Sequence, residues 1–208
     1  MIKNLVFDLG NVMVEFNPKD YMQRLGFSED ETSTLFQMIF KDHRWEKFDL
    51  GDITIEEYTE ALKIEHPEFA DKIDLMFSNN WPQNFLRPKK QSIDFLNKAS
   101  TTYSIYILSN VSNYILDYVK TLGFWDKVSG GTYSYDVKSL KPNPEIYQRF
   151  FSDNNVKPSE CLFLDDLAPN IESAKKAGMH GIVFHDNYLD ITNYLLTDQK
   201  QSYNKSSL

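Results

Sequence analysis

The sequence predicts an α/β fold in which a parallel sheet carries helices on both faces and a group of helices is inserted after the first strand. Short apolar segments rich in β-branched and aromatic residues occupy residues 5–7, 103–110 and 162–164. Such segments lack a helical period and are typical of strands buried on both faces, as in parallel sheets. Segments with helical spacing separate them, and alternating strands and helices build a parallel sheet with flanking helices.

Each of these predicted strands ends in polar side chains. Asp8 follows the first strand, Ser109 and Asn110 end the second, and Asp165 and Asp166 end the third. The carboxyl ends of parallel strands meet at one edge of an open sheet, and ligands bind there. We therefore expect these side chains to converge on one rim.

A lysine between two of these strands is held in a restricted segment. Lys141 precedes two prolines in the sequence KSLKPNPEIY, and proline fixes the local backbone. A lysine presented in this way can neutralise phosphate charge or stabilise a carboxylate nucleophile. Upstream of it, Gly130-Gly131 and further turn formers in residues 124–140 predict a backbone that crosses the surface.

The inserted region covers residues 17–87 and is predicted to be helical. Capping-box patterns occur at Ser28 to Glu31 and at Thr54 to Glu57. The predicted domains are an α/β core domain of residues 1–16 and 88–208 and a helical domain of residues 17–87. Within the core domain, residues 199–208 are predicted to be a polar tail.

Composition narrows the function classes. With 41% hydrophobic residues the chain is globular, and its net charge of -8 argues against a nucleic-acid partner. The single cysteine, Cys161, excludes an internal disulfide. No apolar run approaches the roughly 18 residues of a membrane span, so we expect no membrane association and a cytoplasmic location. The oligomeric state is not indicated.

The order strand-Asp8, strand-Ser109, Lys141-Pro and strand-Asp165-Asp166 resembles the haloacid dehalogenase superfamily of hydrolases. The resemblance covers nearly the whole chain up to about Asp186. It implies a Rossmann-like sheet, and it implies that the helices inserted after the nucleophile strand are a cap. Such a cap closes over the site, excludes water and selects the leaving group.

The resemblance also implies a reaction and a cofactor. Asp8 would attack phosphorus and form an aspartyl-phosphate that water hydrolyses, and the substrate would be a small phosphorylated metabolite. Adjacent carboxylates repel each other unless a cation separates them, and Mg²⁺ prefers such oxygen ligands. The implied site residues are catalytic Asp8 and Lys141; metal-binding Asp8, Gly10 through its backbone carbonyl, Asp165 and Asp166; and phosphate-binding Asn11, Ser109, Asn110 and Lys141.

One position departs from the family pattern. Most phosphatases of this superfamily carry a second Asp two residues after the nucleophile, where this chain has Gly10. Loss of that proton donor should cost about 10²- to 10⁴-fold for simple alkyl esters. Subfamilies that open with DLGNV include bacterial phosphatases of sugar 1-phosphates such as α-D-glucose 1-phosphate, whose anomeric oxygen leaves more easily. Glu15 could replace the missing acid, or it could be an ordinary solvated carboxylate.

Two other function classes stay open at this stage. A member of the superfamily that binds a phosphorylated ligand or a protein without turnover would explain Gly10. A 2-haloacid dehalogenase needs no proton donor, but Asp165 and Asp166 imply a cation that such enzymes do not use, and their tyrosine two residues after the nucleophile is absent. In the cap, Trp45 and Phe48 are expected to pack the core while His43 and Arg44 are solvated, with substrate contact by His43 or Arg44 as the alternative.

Overall fold

A computed structural model describes residues 1–78 and 80–206, and it describes side chains up to residue 201. The strands are β1 (Asn4–Phe7), β2 (Val14–Phe16), β3 (Leu86–Pro88), β4 (Ser104–Ser109), β5 (Val128–Tyr133), β6 (Cys161–Asp165) and β7 (His180–Val183). The helices are α1 (Pro18–Arg24), α2 (Glu29–Phe40), α3 (His43–Asp49), α4 (Ile55–Glu65), α5 (Ala70–Met76), α6 (Pro82–Phe85), α7 (Lys90–Ala99), α8 (Asn113–Val119), α9 (Ser134–Val137), α10 (Pro144–Asn154), α11 (Ala168–Lys176) and α12 (Tyr188–Ser206).

The central sheet has five parallel strands in the order β5-β4-β1-β6-β7. Every residue of β1 and β6 is buried, as expected for strands covered by helices on both faces. Phe7 at the end of β1 pairs with Ile107 of β4 and with Leu164 of β6. The residues after these three strands therefore meet at one edge, and the predicted α/β fold is confirmed.

In chain order, helices α1 to α6 come between β2 and β3, which pair with each other as a small antiparallel sheet. The local sequence explains where these helices begin. Both predicted capping boxes form, with the hydroxyls of Ser28 and Thr54 accepting from the backbone N–H of Glu31 and Glu57 and the glutamates returning the bond. These bonds satisfy N–H groups that have no partner inside the helix.

The inserted helices and the sheet share one hydrophobic core. The same cluster of buried side chains includes Leu5 and Ile105 of the sheet and Leu35, Phe48 and Leu62 of the inserted helices. The inserted helices therefore pack directly against the sheet domain, with no solvated layer between them. The division at residues 17–87 stays a prediction.

Strand β5 contradicts the predicted surface crossing of residues 124–140. Gly130 and Gly131 lie inside this strand and pair with Tyr106 and Ile107. A Cβ on Gly130 would overlap the side chain of Asn154, and one on Gly131 would lie 2.7 Å from the carbonyl oxygen of Ile107. Glycine is present because neighbouring atoms approach the strand closely, and not because the chain turns.

The carboxyl end of the chain is helical. Helix α12 continues through residues 199–206 of the predicted polar tail, and residues 207–208 lie outside the described residues. The side chains of residues 199–201 are exposed, and the core contacts of α12 come from Ile191 and Leu195, upstream of that tail. Within the described part of the chain, no helix is both long enough and apolar enough to cross a membrane.

Candidate active site

Asp8 follows β1 directly and is nearly excluded from solvent. Its backbone N–H donates to Leu164 of β6 at 2.9 Å, which keeps it in register with the sheet. The pKa of Asp8 is raised to about 7, mainly by burial; the charge of Lys141 lowers this pKa and that of the nearby Asp165 raises it. One ammonium group therefore balances this carboxylate only in part.

Lys141 lies between two carboxylates. Its Nζ is 2.9 Å from Asp8 Oδ1 and 2.6 Å from Asp165 Oδ2, and its side chain is 1% exposed. Burial alone would lower the pKa of Lys141, but the charges of Asp8 and Asp165 outweigh it, and the net pKa is raised. The side chain is therefore an ammonium ion fixed among acids.

The backbone of Lys141 is held by Asn110, at the carboxyl end of β4. Asn110 Nδ2 donates to the carbonyl oxygen of Lys141 at 3.0 Å, and Asn110 Oδ1 accepts from the Lys141 N–H at 2.7 Å. Both polar atoms of the amide are thus engaged by one residue. The structure places Asn110 beside the cavity, but its side chain is used to fix Lys141, and its predicted phosphate contact stays a prediction.

Asp165 and Asp166 follow β6 and have different surroundings. Asp165 is fully buried, accepts from Lys141 and from the Leu167 N–H, and is contacted by Asn170 Nδ2 at 3.0 Å from each of its oxygens. Asp166 is half-buried and, among the residues that the structure describes, accepts a single hydrogen bond, from Asn11. Asp166 therefore keeps free acceptor capacity toward the cavity, whereas that of Asp165 is largely used.

The carboxylates of Asp8, Asp165 and Asp166 offer oxygens that all lie within 4.8 Å of one another. Three carboxylates and one ammonium group leave about two negative charges without a balancing partner among the described residues. Carboxylates this close are stable together when a cation lies between them. The donor set consists of hard oxygens, which suit Mg²⁺ or Ca²⁺ better than a softer metal.

The remaining predicted residues line the same cavity. Ser109 is buried at the end of β4 and lines the cavity with Asp8, and its hydroxyl lowers the pKa of Asp8. Asn11 adopts a left-handed backbone, with φ of 54°, that directs its amide to Asp166 at 3.0 Å. No atom lies within 4 Å of the place where a Cβ on Gly10 would be. The structure thus brings Asp8, Gly10, Asn11 and Ser109 together with Lys141 and Asp166.

The cavity has a volume of about 260 Å³ and two kinds of wall. The polar wall consists of the strand-end residues described above. The other wall is mainly apolar and comes from β2, β3, α3 and α8; it is lined by Phe16, Leu86, Trp45, Ile115 and Val119. A phosphoryl group fits the first wall, and the second wall would surround the group attached to it.

One ionisable side chain in this cavity was missed by the sequence analysis. Asp49, the last residue of α3, is half-buried and lines the cavity. Asp49 was not singled out from the sequence, and it lies just before the turn predicted at Gly51 and Asp52. An acid at the end of a helix has no sequence pattern that separates it from a solvated turn residue, so only its position in three dimensions reveals it.

Other candidates from the inserted helices do not reach the cavity. Arg44 bonds to Asp42 and Glu65, and the side chain of His43 is 74% exposed. Glu15 is exposed and is not among the residues that line the cavity. Phe48 is buried as expected, whereas Trp45 both packs against it and faces the cavity.

This sheet and its acidic edge are those of an α/β enzyme that binds its ligand at the carboxyl ends of parallel strands. The chain belongs to the haloacid dehalogenase-like hydrolases, since it matches that family over residues 2–178. The resemblance stated from the four sequence motifs is thereby confirmed at the level of the superfamily. The narrower resemblance to phosphatases of sugar 1-phosphates stays a prediction.

Individual relatives are similar over most of their length. The chain is 28% identical over 203 residues to D-ribitol-5-phosphate phosphatase of Bacteroides thetaiotaomicron, covering 86% of this chain and 89% of the relative. A solved structure of a haloacid dehalogenase family enzyme from the same organism, in complex with magnesium and inorganic phosphate, superposes with a TM-score of 0.68 at 25% identity. That match covers 90% of this chain and 96% of the other.

The fold also resembles a dehalogenase of the superfamily. L-2-haloacid dehalogenase from Xanthobacter autotrophicus superposes with a TM-score of 0.63 at 21% identity, covering 87% of this chain and 76% of that one. At this identity the likeness shows a common fold. The choice between phosphate and halide chemistry therefore depends on the site.

Proposed function

We propose that this hydrolase is a Mg²⁺-dependent phosphatase that hydrolyses a small phosphate monoester through an aspartyl-phosphate on Asp8. The observation that carries the proposal is the convergence of three carboxylates with oxygens within 4.8 Å of one another, two of which contact the ammonium of Lys141. The magnesium and phosphate in the related Bacteroides structure support both the cofactor and the substrate class.

The surroundings of the acids favour a division of roles. Asp8 and Asp166 would hold the cation, together with the backbone carbonyl of Gly10, because their oxygens face the cavity. Asp165 would act mainly through Lys141, since its oxygens already accept from Lys141, Leu167 and Asn170. When bound, Mg²⁺ would balance the charge of the acids and of the phosphoryl oxygens.

The remaining chemistry falls to side chains of this chain. One oxygen of Asp8 attacks phosphorus in line, the bond to the leaving oxygen breaks, and water later hydrolyses the aspartyl-phosphate. Lys141 and the Ser109 hydroxyl bind phosphoryl oxygens, and Asn11 orients Asp166. Fixed positive charge and donors at these oxygens supply most of the rate gain in phosphoryl transfer.

The helical segment of residues 17–87 would serve as the cap over this site. Its Trp45, with Phe16 and Leu86 from the two strands that flank it, walls the space beside the phosphoryl position. This wall limits the size of the leaving group and keeps water away from it. A sugar phosphate is one candidate class, supported by the relative that acts on D-ribitol 5-phosphate.

The proposal is tested with p-nitrophenyl phosphate, with and without Mg²⁺, and with Asp8→Asn as the control. Metal-dependent release by the wild-type protein, lost in Asp8→Asn, is the expected result. A panel of sugar 1-phosphates and polyol phosphates then ranks the substrates. Absence of phosphate release from every ester of the panel would contradict the proposal and leave a ligand-binding role. Metal-independent halide release from a 2-haloacid would indicate a dehalogenase.

A further inference from the structure

We infer that Asp49 is the proton donor and acceptor of this site, contributed by the inserted helices in place of the acid that Gly10 cannot provide. The inference rests on the proposed phosphatase function. An alkoxide is a poor leaving group unless it is protonated as the bond to phosphorus breaks. A chain with glycine at position 10 therefore needs another acid near the leaving oxygen, or it is restricted to esters that need none.

Position is the first argument for Asp49. Among the described residues of the inserted helices, Asp49 is the one ionisable side chain that lines the cavity, and it does so together with Asp8, Gly10 and Trp45. Asp8 and Asp166 belong to the polar wall of the cavity, whereas Asp49 lies in α3 together with Trp45, which belongs to the wall that would surround the leaving group. Glu15, the alternative acid from the sequence, is exposed outside this cavity.

The core holds the turn that carries Asp49. Ser134 Oγ donates to the Asp49 carbonyl oxygen at 2.6 Å. Lys138 Nζ donates to the carbonyl oxygens of Leu50 and Gly51, at 2.6 and 3.0 Å, and is 3.2 Å from Asp52 Oδ1. Four contacts from Ser134, the first residue of α9, and Lys138, the residue after α9, thus fix a turn of the inserted helices, which we call the clamped turn (residues 49–52). A proton donor needs such a fixed position.

The electrostatic environment suits a group that both gives and takes a proton. Burial, together with the nearby charges of Glu46 and Asp8, raises the pKa of Asp49 to about 7, against the opposing effect of the Ser112 backbone N–H. The ammonium of Lys138 contacts Leu50, Gly51 and Asp52 of the clamped turn and not the carboxylate of Asp49. A carboxyl group with a pKa near neutrality has both forms populated at working pH, which favours acid and base catalysis.

The two half-reactions balance with this assignment. In the first, a bond forms between an Asp8 oxygen and phosphorus, the bond from phosphorus to the ester oxygen breaks, and the proton of Asp49 passes to that oxygen to give an alcohol. In the second, the Asp49 carboxylate takes a proton from water as that water attacks phosphorus. The bond from Asp8 to phosphorus breaks, and Asp8, the protonated Asp49 and inorganic phosphate are restored.

Two esters of similar size separate a proton donor from a merely structural residue. Benzyl phosphate releases an alkoxide that needs a proton, whereas p-nitrophenyl phosphate releases a stabilised phenolate. In Asp49→Asn, kcat/KM for benzyl phosphate should fall about 10²- to 10⁴-fold and that for p-nitrophenyl phosphate less than about tenfold. The decline of benzyl phosphate turnover above about pH 7, expected of the wild type, should be absent in the variant.

Asp30→Asn is the matched control, because Asp30 is an exposed aspartate of the inserted helices, in the first turn of α2. Its two rates should equal those of the wild type. Equal losses on both esters in Asp49→Asn, in protein that unfolds cooperatively at or above the wild-type Tm, would overturn the role of Asp49 and leave the phosphatase function standing. Asp49→Glu, which retains a carboxyl group, should keep part of the benzyl phosphate activity; loss of both rates in it as well would also count against the role. A wild-type protein inactive on both esters would instead overturn the proposed function.

Discussion

Lys141 Nζ lies 2.6 Å from Asp165 Oδ2, and neither side chain is more than 1% exposed. Removing one partner of such a buried pair leaves the other charge unpaired, which costs about 3–5 kcal/mol. We expect Lys141→Met to lower the free energy of unfolding by this amount, since both Asp165 and Asp8 lose their balancing charge. Urea denaturation measures the change.

Lys90→Met is the control for that variant, because Lys90 pairs with Asp94 on the surface and is 85% exposed. Exposed pairs contribute about 0–1 kcal/mol. If Lys141→Met unfolds at the same urea concentration as Lys90→Met, the buried acids take up protons instead of remaining charged. The description of Lys141 as an ammonium ion that holds two carboxylates would then be wrong.

Asn110 provides the second prediction, which separates fixing Lys141 from binding phosphate. Asn110→Ala removes both side-chain bonds to the backbone of Lys141 and should lower kcat by at least about tenfold through misplacement of that ammonium. The affinity for inorganic phosphate, measured as competitive inhibition, should change by less than about threefold, the effect of a fraction of one hydrogen bond. Loss of phosphate affinity with kcat retained would instead support the direct phosphate contact expected from the sequence.

The site residues that the sequence predicts are those whose position follows from the local strand pattern. Contacts between residues far apart in the chain are not predicted. Asp8, Ser109 and Asp166 could be placed together because each follows a buried strand, and parallel strands in register bring their carboxyl ends to one edge. Asn110 was also expected at this edge. Its bonds to Lys141 depend on how the chain returns 31 residues later, and the strand pattern does not contain that information.

Two failures have a different cause. Glycines 130 and 131 predict a turn when only local propensity is considered, but the packing of neighbouring side chains and backbone against β5 requires them. Asp49 has no local sequence feature that marks it as a site residue, and its position depends on Ser134 and Lys138, more than 80 residues away, which hold its turn. In both cases tertiary contacts override the preference that the local sequence expresses.

The third prediction concerns stability and pH. The pKa of Asp49 is raised in the folded protein from 3.8 to about 7, so between these values the folded state binds more protons at Asp49 than the unfolded chain. The free energy of unfolding is therefore unaffected by Asp49 below about pH 4. It falls as the pH rises from about 4 to about 7, and the loss is constant above that. Asp49→Asn removes that fall.

We expect Asp49→Asn to gain stability relative to the wild type between pH 5 and pH 8. Allowing for its partial exposure, the gain should be on the order of 1 kcal/mol, or about 2–4 °C in Tm for a chain of this length. Thermal unfolding without divalent cations measures it, with Asp30→Asn as the control. If the difference in Tm between Asp49→Asn and the wild type is the same at pH 5 and at pH 8, the pKa of Asp49 is not raised in the folded protein.

The fourth prediction moves the acid to position 10, where the family pattern stated in the sequence analysis has a second Asp. Gly10 has a backbone outside the left-handed region, and no atom lies within 4 Å of an added Cβ, so Gly10→Asp should fold without strain. In the Asp49→Asn background it should restore benzyl phosphate turnover by at least about tenfold, because a proton donor is again near the leaving oxygen. In the wild-type background the gain should be smaller. Equal gains in both backgrounds would show that Asp49 and position 10 do not share a role.

The last prediction tests whether the clamped turn positions Asp49. Gly51 has a φ of 64°, and a Cβ there would lie 3.2 Å from Tyr135 Cβ, beside Lys138. Gly26 has a φ of 85° with no atom within 4 Å of its added Cβ, so Gly26→Ala carries the same backbone cost without a contact. Both alanine variants should lose about 1–2 kcal/mol of stability, the cost of placing a residue with a side chain in the left-handed region.

Because the added methyl group of Gly51→Ala displaces the turn from Lys138, benzyl phosphate turnover should fall in that variant and stay at the wild-type level in Gly26→Ala. Equal activity of the two variants would mean that the clamp does not position the acid.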